Sequence, residues 1–482
     1  MSEASEFKIV KGKLMKYLGS DPDVVIPDTV KEIGWEAFSD HKSLECVVFP
    51  PSLLEIDALA FWACRKLKSV VLPDTLLYIG YGAFQECVSL EEVDITDSVI
   101  RIDRFAFQGC TALKRLKLSG SLSTIEINAF SGCSALLEVE FPESVRIVKK
   151  DAFSFCSSLH RVVISTFVTD IEKDAFSRCY SLKEFELSGE NRFIEERDGV
   201  LYSADDGSII AYPPEKETEH FVIPDTVTYL SHHTFLDCKR LKSVVIPESV
   251  TGVGSEVFNG CENLESVVIP RSLQKFGNRM FSKCTGLTRL EIPDTVTEIG
   301  DYTFFGCKNL RELRIPESVT AIGFCAFAEC DALEDLVIPD SAQNIKWGAF
   351  SGVKSLHIRR NIGSKWNEIL MIQDVCPEYI YTSFKNYNEL NDQLKASVIR
   401  GFMKEWKDGR TDKAYVEKIA GLIRGRSLRV FKNLYGFLPL YEFVVSQKLL
   451  SRTSAEKLLE RTESLECRAV LLVYLGSLNK RK

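Results

Sequence analysis

Histidine is scarce in this 482-residue chain, with only His41, His160, His220, His232, His233 and His357. None is spaced as His-Glu-x-x-His, so the common helical zinc-hydrolase site is excluded. Also missing are a G-x-S-x-G elbow, a phosphate-binding G-x-x-x-x-G-K-S/T loop and any C-x-x-C pair. Gly252-Val253-Gly254 lacks the third glycine of a dinucleotide fingerprint. Adjacent acids at Glu195-Glu196 and Asp205-Asp206 sit in turn-rich sequence and read as solvated turns. The expectation is a non-enzyme with no metal and no cofactor. Enzymatic activity in the C-terminal region is kept as an alternative.

Long apolar runs are absent too. No segment approaches the roughly 20 apolar residues that span a bilayer. The N-terminus, MSEASEFKIVKGK, lacks the apolar stretch that a secretory signal carries after its basic start. No Asn-x-Ser/Thr sequon occurs. The expected location is cytoplasmic, with a secreted or surface-associated protein exported without a signal as the alternative. The net charge of −8 argues against binding nucleic acid through the whole surface, because an acidic chain repels phosphate.

What is abundant is a period. Phe38, Phe61, Phe84, Phe107, Phe130, Phe153 and Phe176 are each 23 residues apart, and Phe235, Phe258, Phe281, Phe304, Phe327 and Phe350 follow with the same step. That makes 13 units. Six residues after each Phe comes Leu, from Leu44 to Leu356. Nine and eleven after it come apolar pairs such as Val47/Phe49, Val70/Leu72 and Val244/Ile246. A Pro often follows, as at Pro50, Pro73, Pro247 and Pro270. Five before the next Phe sits Ile33, Ile56, Ile79, Ile299 or Ile322. The alternating Val-x-Ile segment reads as a short strand, ended by Pro because Pro cannot donate to a ladder. A single 23-residue unit cannot bury its apolar side, but stacked units can, at about 4.8 Å per strand. The expectation is an α/β repeat solenoid with a parallel sheet on one side and an irregular or helical Ala-Phe-x-x-Cys segment on the other.

Blocks such as Ile26-Pro27-Asp28-Thr29-Val30, Ile33-Gly34, Ala37-Phe38 and Leu44 give the chain its likeness: residues from about 23 to 360 resemble the BspA-like leucine-rich repeat family. The resemblance implies a leucine-rich-repeat-type solenoid that binds ligands or proteins and sometimes adheres to host surfaces. Cys precedes the Leu strand here and no Asn ladder follows it, which predicts a tighter or differently curved solenoid than the usual horseshoe.

Eleven of the fifteen cysteines lie three residues after a repeat Phe, from Cys64 to Cys330. Zinc needs four ligands around one point, and a ladder offers one sulfur per rung with no His beside it. They read as small buried hydrophobes. Replacing Cys133 by Ser is expected to bury a hydroxyl without an assured partner. Cys46, Cys325, Cys376 and Cys467 fall outside the ladder.

The pattern breaks at residues 190–222, where Asp198-Gly199 and Asp206-Gly207 mark turns of a three-stranded meander. A shorter hairpin, Phe7 to Tyr17 with Lys11-Gly12 as its turn, is expected to cap the first repeat's sheet edge. Beyond Phe350, Val353 replaces Cys and Arg359 falls at a strand core position. Helical patterns begin near Glu389, and Thr453 or Ser454 is the expected cap of a long last helix. The domain reading is an N-terminal hairpin cap at 1–22, a first solenoid arm at 23–189, a meander at 190–222, a second arm at 223–360 and a helical module at 361–482. That module resembles the helical tails of some bacterial repeat proteins.

Two candidate partner-binding features emerge. Residues ten after each Phe should point outward from the strands, and Val48, Val71, Val163, Val245, Val268 and Val337 stand there among charged residues. The plain alternative is that β-branched residues simply suit strands. Residues 395–482 carry 19 Lys and Arg against 9 Asp and Glu, a net +10, leaving −18 on the rest. The densest basic cluster is Arg424, Arg426, Arg429 and Lys432. It suits an acidic protein surface, or is a solvated helix face. The expected function is a protein-binding scaffold whose partner the residues do not name.

Overall fold

The computed structural model describes residues 6–346, 348–353, 355–358, 379–381, 392–409, 411, 413–424 and 434–479. The chain divides into two compact units, Met1–Ser272 and Leu273–Lys482. Both contain the 23-residue coil expected from the Phe period, and parallel strands pair in each.

In the first unit the coil has three sides joined by hydrogen bonds between turns, the two strand columns being interrupted between Arg101–Ile102 and Thr124–Ile125 and between Arg115–Lys117 and Glu138–Glu140. The long strands, such as Asp23–Val25, Cys46–Val48 and Ser69–Val71, pair in parallel with a shift of one repeat. A second column is built from two-residue strands such as Glu32–Ile33, Glu55–Ile56 and Tyr78–Ile79. The third side is the Ala-Phe segment. It is neither helix nor strand. Residues two before and two after each Phe take positive φ, as at Leu59 (55°) and Ala63 (56°), or Asn128 (56°) and Gly132 (75°). That alternation prevents a helix from continuing, so the expected helical option gives way to a chain of turns. Backbone N–H groups there point alternately inward to the same rung and along the stack. Cys64 N reaches Phe61 O at 3.1 Å, whereas Phe61 N reaches Ala83 O of the next rung at 2.8 Å. A left-handed L-residue costs about 1–2 kcal/mol, and the rung-to-rung bonds hold it in place.

These three ladders force like residues into columns. The Phe rings of the first unit stack at 4.8–5.7 Å between Phe38 and Phe176, nearly parallel. In the second unit Phe281, Phe304, Phe327 and Phe350 stack at 5.3–6.0 Å. Beside them Leu44, Leu67, Leu90, Leu113, Leu136 and Leu159 are fully buried.

The cysteine ladder has a partner that composition did not reveal. The ladder thiols donate to the carbonyl of the repeat Phe one rung earlier, as in Cys64 to Phe38 at 3.1 Å, Cys133 to Phe107 at 3.4 Å and Cys307 to Phe281 at 3.0 Å; Cys238, whose previous rung carries Tyr212 in place of Phe, lies instead 3.9 Å from Leu236 O. The sulfur is therefore a weak donor in a satisfied site as well as a space filler. A Ser at position 133 would meet the same acceptor, which corrects the expectation that its hydroxyl would be stranded. At the first rung His41 replaces Cys, with Nε2 hydrogen-bonded to Gly19 O at 3.0 Å. Cys376 lies outside the described residues, and the other 14 cysteines are free thiols.

The hairpin Phe7–Val10/Lys13–Tyr17 turns at Lys11 and Gly12, both at positive φ, and its second strand pairs in parallel with Glu32–Ile33. It thus caps the first repeat at the edge of the short-strand column, while the long-strand column begins at Asp23. It also places Lys13 against Glu32 and 3.0 Å from Asp57. Burial pushes the nearby Glu55 carboxyl up, and the charges of Glu32 and Asp57 push it further. The meander forms as Ile194–Arg197, Val200–Ser203 and Ile209–Ala211, antiparallel throughout. Tyr212 then takes the place of a repeat Phe, its ring 4.8 Å from that of Phe235. Despite the insertion the turn column continues: His233 Nδ1 meets Asp174 Oδ1 at 2.9 Å across 59 residues. His232 is exposed.

In the second unit the strand Ser355–Ile358 pairs with Asp335–Ile338 in a register of 20 residues instead of 23. Leu356 is therefore opposite Leu336, not in line with the column of Leu residues six after each Phe, and Arg359 lies outside the described residues. The shortened loop moves the strand by three residues. Five helices follow among the described residues: α1 (Asp392–Lys407), α2 (Lys413–Arg424), α3 (Leu438–Ser446), α4 (Arg452–Arg461) and α5 (Leu465–Asn479). The long last helix expected from sequence is two, because Thr462 turns into an extended conformation and its buried hydroxyl bonds Tyr441 Oη at 2.7 Å. Ser451, not Thr453 or Ser454, caps α4 by accepting from Ser454 N at 3.2 Å. Rings of Phe402 and Trp406 pack edge-on against Phe443.

Two outcomes follow. Phe130→Ala or Leu136→Ala should lower unfolding free energy by about 2–5 kcal/mol in a denaturant titration, with Cys133→Ser and Cys133→Ala each costing about 1–2 kcal/mol because Ser keeps a donor for Phe107 O and Ala removes only one atom and one weak hydrogen bond. The second is a pH effect. Burial pushes the Cys133 and Cys179 thiols up to about 12 from an ordinary 9.0. The unfolded chain releases these protons from pH 9 upward, while the folded chain keeps them until about 12. Stability from this source is full below pH 9 and lost as pH rises to 12. In reducing buffer the melting temperature should fall above pH 9, and fall less steeply in Cys133→Ala/Cys179→Ala.

Candidate partner-binding face

The long-strand column of the first unit presents its outer face to solvent. Along most of its three-residue strands, such as Cys46–Val48 and Ser69–Val71, the middle residue is buried and its two neighbours turn outward, as period-2 geometry requires. Val25, Val48 and Val71 are in register on adjacent strands and all are exposed, Val71 by 78%. A second set, Val222, Val245 and Val268, is in register in the same way and also exposed. Each valine of the second set follows its counterpart by 197 residues. The anchoring segment is the same in both, Val-Ile-Pro-Asp-Thr-Val at 25–30 and 222–227.

Val25 and Val222 were missed by counting from each Phe, since they lie one repeat ahead of Phe38 and Phe235, where no Phe stands. The repeated hexapeptide was the signal that could have found them. Both ladders run beside an ion pair. Lys68 meets Glu45 at 2.6 Å near the first, and Lys242 meets Glu219 at 2.8 Å near the second. The hydrogen bond from the lysine in each case holds the glutamate below its ordinary range. The flanking row is polar, with Cys46 and Ser69 at one ladder and His220, Ser243 and Ser266 at the other. His220 Nδ1 lies 2.8 Å from Ser243 Oγ.

Between the two ladders the face is charged, and its cations Arg115, Lys117 and Arg161 are each paired with a carboxylate. Glu92, Arg115, Glu138, Arg161 and Glu184 alternate along one column. Arg115 pairs with Glu92, Lys117 with Asp94 at 3.5 Å, and Arg161 grips Glu186 through two nitrogens at 2.6 and 2.8 Å. That pair holds the Glu186 carboxyl below its ordinary range. Val163 does not join the apolar set, with only 8% exposure. It pairs in register with Glu186, and Arg161 reaches from its own strand to that carboxylate, so the ion pair brackets it. This corrects the expectation that Val163 is outward-facing and available.

The remaining candidates are not gathered into one site. Val337 is half-buried in the second unit, and Arg424 is exposed at the end of α2. Arg426, Arg429 and Lys432 lie outside the described residues. Among the described residues no group of three or more His, Cys, Asp or Glu is placed to hold a metal, and no helix is long and apolar enough to cross a membrane.

Comparison with known proteins follows the repeat. The model of the BspA type leucine-rich repeat region matches residues 16–100, 77–197, 214–330 and 281–369. No curated protein matches the chain. Among solved structures, a leucine-rich cell surface protein from Faecalibacterium prausnitzii A2-165 is 30% identical, with a TM-score of 0.65 over 74% of this chain and 92% of its own. The pneumococcal vaccine antigen PcpA shares the fold at 20% identity, with a TM-score of 0.51 over 77% of this chain and 92% of its own. The stacked Phe column, the three ladders and these matches place the chain in the BspA type leucine-rich repeat family.

Proposed function

We propose that this protein is a non-catalytic binding scaffold that captures a protein partner on the outer face of its long-strand column, using the two valine ladders as anchors. The observation that carries this reading is the exposure of three in-register valines, twice, on one face. Contiguous exposed apolar patches rimmed by polar groups mark interaction sites. Columns of paired charge between them would set register and orientation more than affinity. The β propensity of Val alone does not account for the ladders, because four of the five equivalent positions in the intervening strands are Asp94, Lys117, Glu140 and Glu186, and the fifth, Val163, is buried. Solenoid repeats are suited to extended contacts of this kind. Display at a cell surface is the second reading, supported by the description of the Faecalibacterium protein as a cell surface protein.

In a pull-down from the native organism with the full-length protein, Val245→Lys/Val268→Lys should reduce partner capture at least about tenfold and leave the melting temperature unchanged. Equal capture by the variant would remove this face as the binding surface. The basic cluster near α2 is proposed to meet an acidic protein surface, the solenoid's own included. Reversing Arg424, Arg426 and Arg429 to Glu should then change solution scattering or capture at low salt, with the difference fading as salt screens it.

A further inference from the structure

Helix α5 is apolar on two opposite sides. Its inner stripe, Cys467, Leu471 and Tyr474, is buried, and Tyr474 Oη donates to Leu450 O at 2.8 Å. Its outer stripe is Leu465, Ala469, Leu472 and Gly476, with Val473 alongside, and all of these are exposed. Leu465 is 84%, Val473 74% and Leu472 55% accessible. Single exposed apolar residues are ordinary. This set instead follows the alternating four- and three-residue spacing of a helix-pairing seam.

The glycine is the informative residue. Gly in a helix interior costs roughly 1 kcal/mol relative to Ala. A Cβ at Gly476 would meet nothing within 4 Å, so the chain's own packing does not demand the glycine. Large and small residues alternate along the seam, and this selects an orientation. Parallel pairing would set Gly476 against Gly476 and leave a void. Antiparallel pairing sets Leu465 against Gly476 and Leu472 against Ala469 of the second copy, one large and one small residue in every layer. Charge agrees. In the sequence Glu463 and Glu466 stand just before and in the first turn of α5, and Lys480-Arg481-Lys482 follow it. Opposite charge flanking the two ends of one helix in sequence favours antiparallel over parallel pairing. Their dipoles also oppose.

We propose that the outer stripe of α5 is a self-association surface, on which a second copy of this chain packs its own α5 antiparallel. A single-helix contact is small, so association is reversible and concentration-dependent. The test is sedimentation equilibrium of the full-length protein over about 2–200 µM, which brackets dissociation constants of micromolar order. The average mass should rise from one chain toward two. Leu472→Glu/Val473→Glu should raise the dissociation constant at least about tenfold with unchanged circular dichroism. Gly476→Leu should strengthen the helix yet weaken association, opposite effects that a purely structural glycine would not produce. Mixing Leu465→Cys with Gly476→Cys under mild oxidation should give a covalent heterodimer. A monomer throughout the range, a dimer indifferent to the Glu substitutions, or cross-linking of Leu465→Cys with itself in preference to the mixture would overturn the proposal.

Discussion

Hydrogen bonds between successive rungs are the constraint on which the rest depends. They run along all three sides of the first unit's coil, and on the Ala-Phe side they bind a backbone that alternates between right- and left-handed conformations. Because every rung repeats after 23 residues, each position stacks on its own equivalent. Phe must then tolerate Phe, Leu must tolerate Leu, and any charge faces the residue at the same position one rung away. Aromatic rings meet this condition by parallel stacking. The buried thiol meets it by being small and by finding the carbonyl of the previous rung.

The same stacking explains the outer face. A column of like charges would repel at strand spacing, and the chain alternates sign instead, from Glu92 through Arg115, Glu138 and Arg161 to Glu184. Where alternation stops, Cys46 and Ser69 at one end and Ser243 and Ser266 at the other take over that column, and the valine ladders stand beside them. Arg161 shows how the arrangement can silence a residue. By holding Glu186 it closes off Val163, which by sequence position alone is equivalent to Val48. Features with the same repeat phase can therefore differ in availability according to their neighbours one rung away.

The joints are where the period is broken, and each is managed differently. At the N-terminal end a hairpin supplies the missing strand and a lysine for clustered acids. At the meander Tyr212 stands in for Phe, and His233 reaches Asp174 so that the turn column continues. Burial alone would raise the Asp174 carboxyl, but the hydrogen bond and charge of His233 bring it below its ordinary range. After Phe350 the chain drops three residues and keeps strand pairing at the expense of the period.

Periodicity alone determined the repeat, its core columns, the family likeness and the alternation that points one valine per strand outward, because each depends on spacing that any reader of the chain can count. The handedness of the Ala-Phe turns was not legible, since Leu, Ala, Asn and Gly all occupy the left-handed positions there and composition gives no warning. Nor was the thiol acceptor, which lies 26 residues away and on the neighbouring rung. Val25 and Val222 lacked the Phe that marks every other unit, and the break at Thr462 was hidden in a continuous helical pattern. Only tertiary structure decided these, because each turns on which residue lies across the stack, and that is fixed by hydrogen bonds between rungs and not by neighbours in the chain.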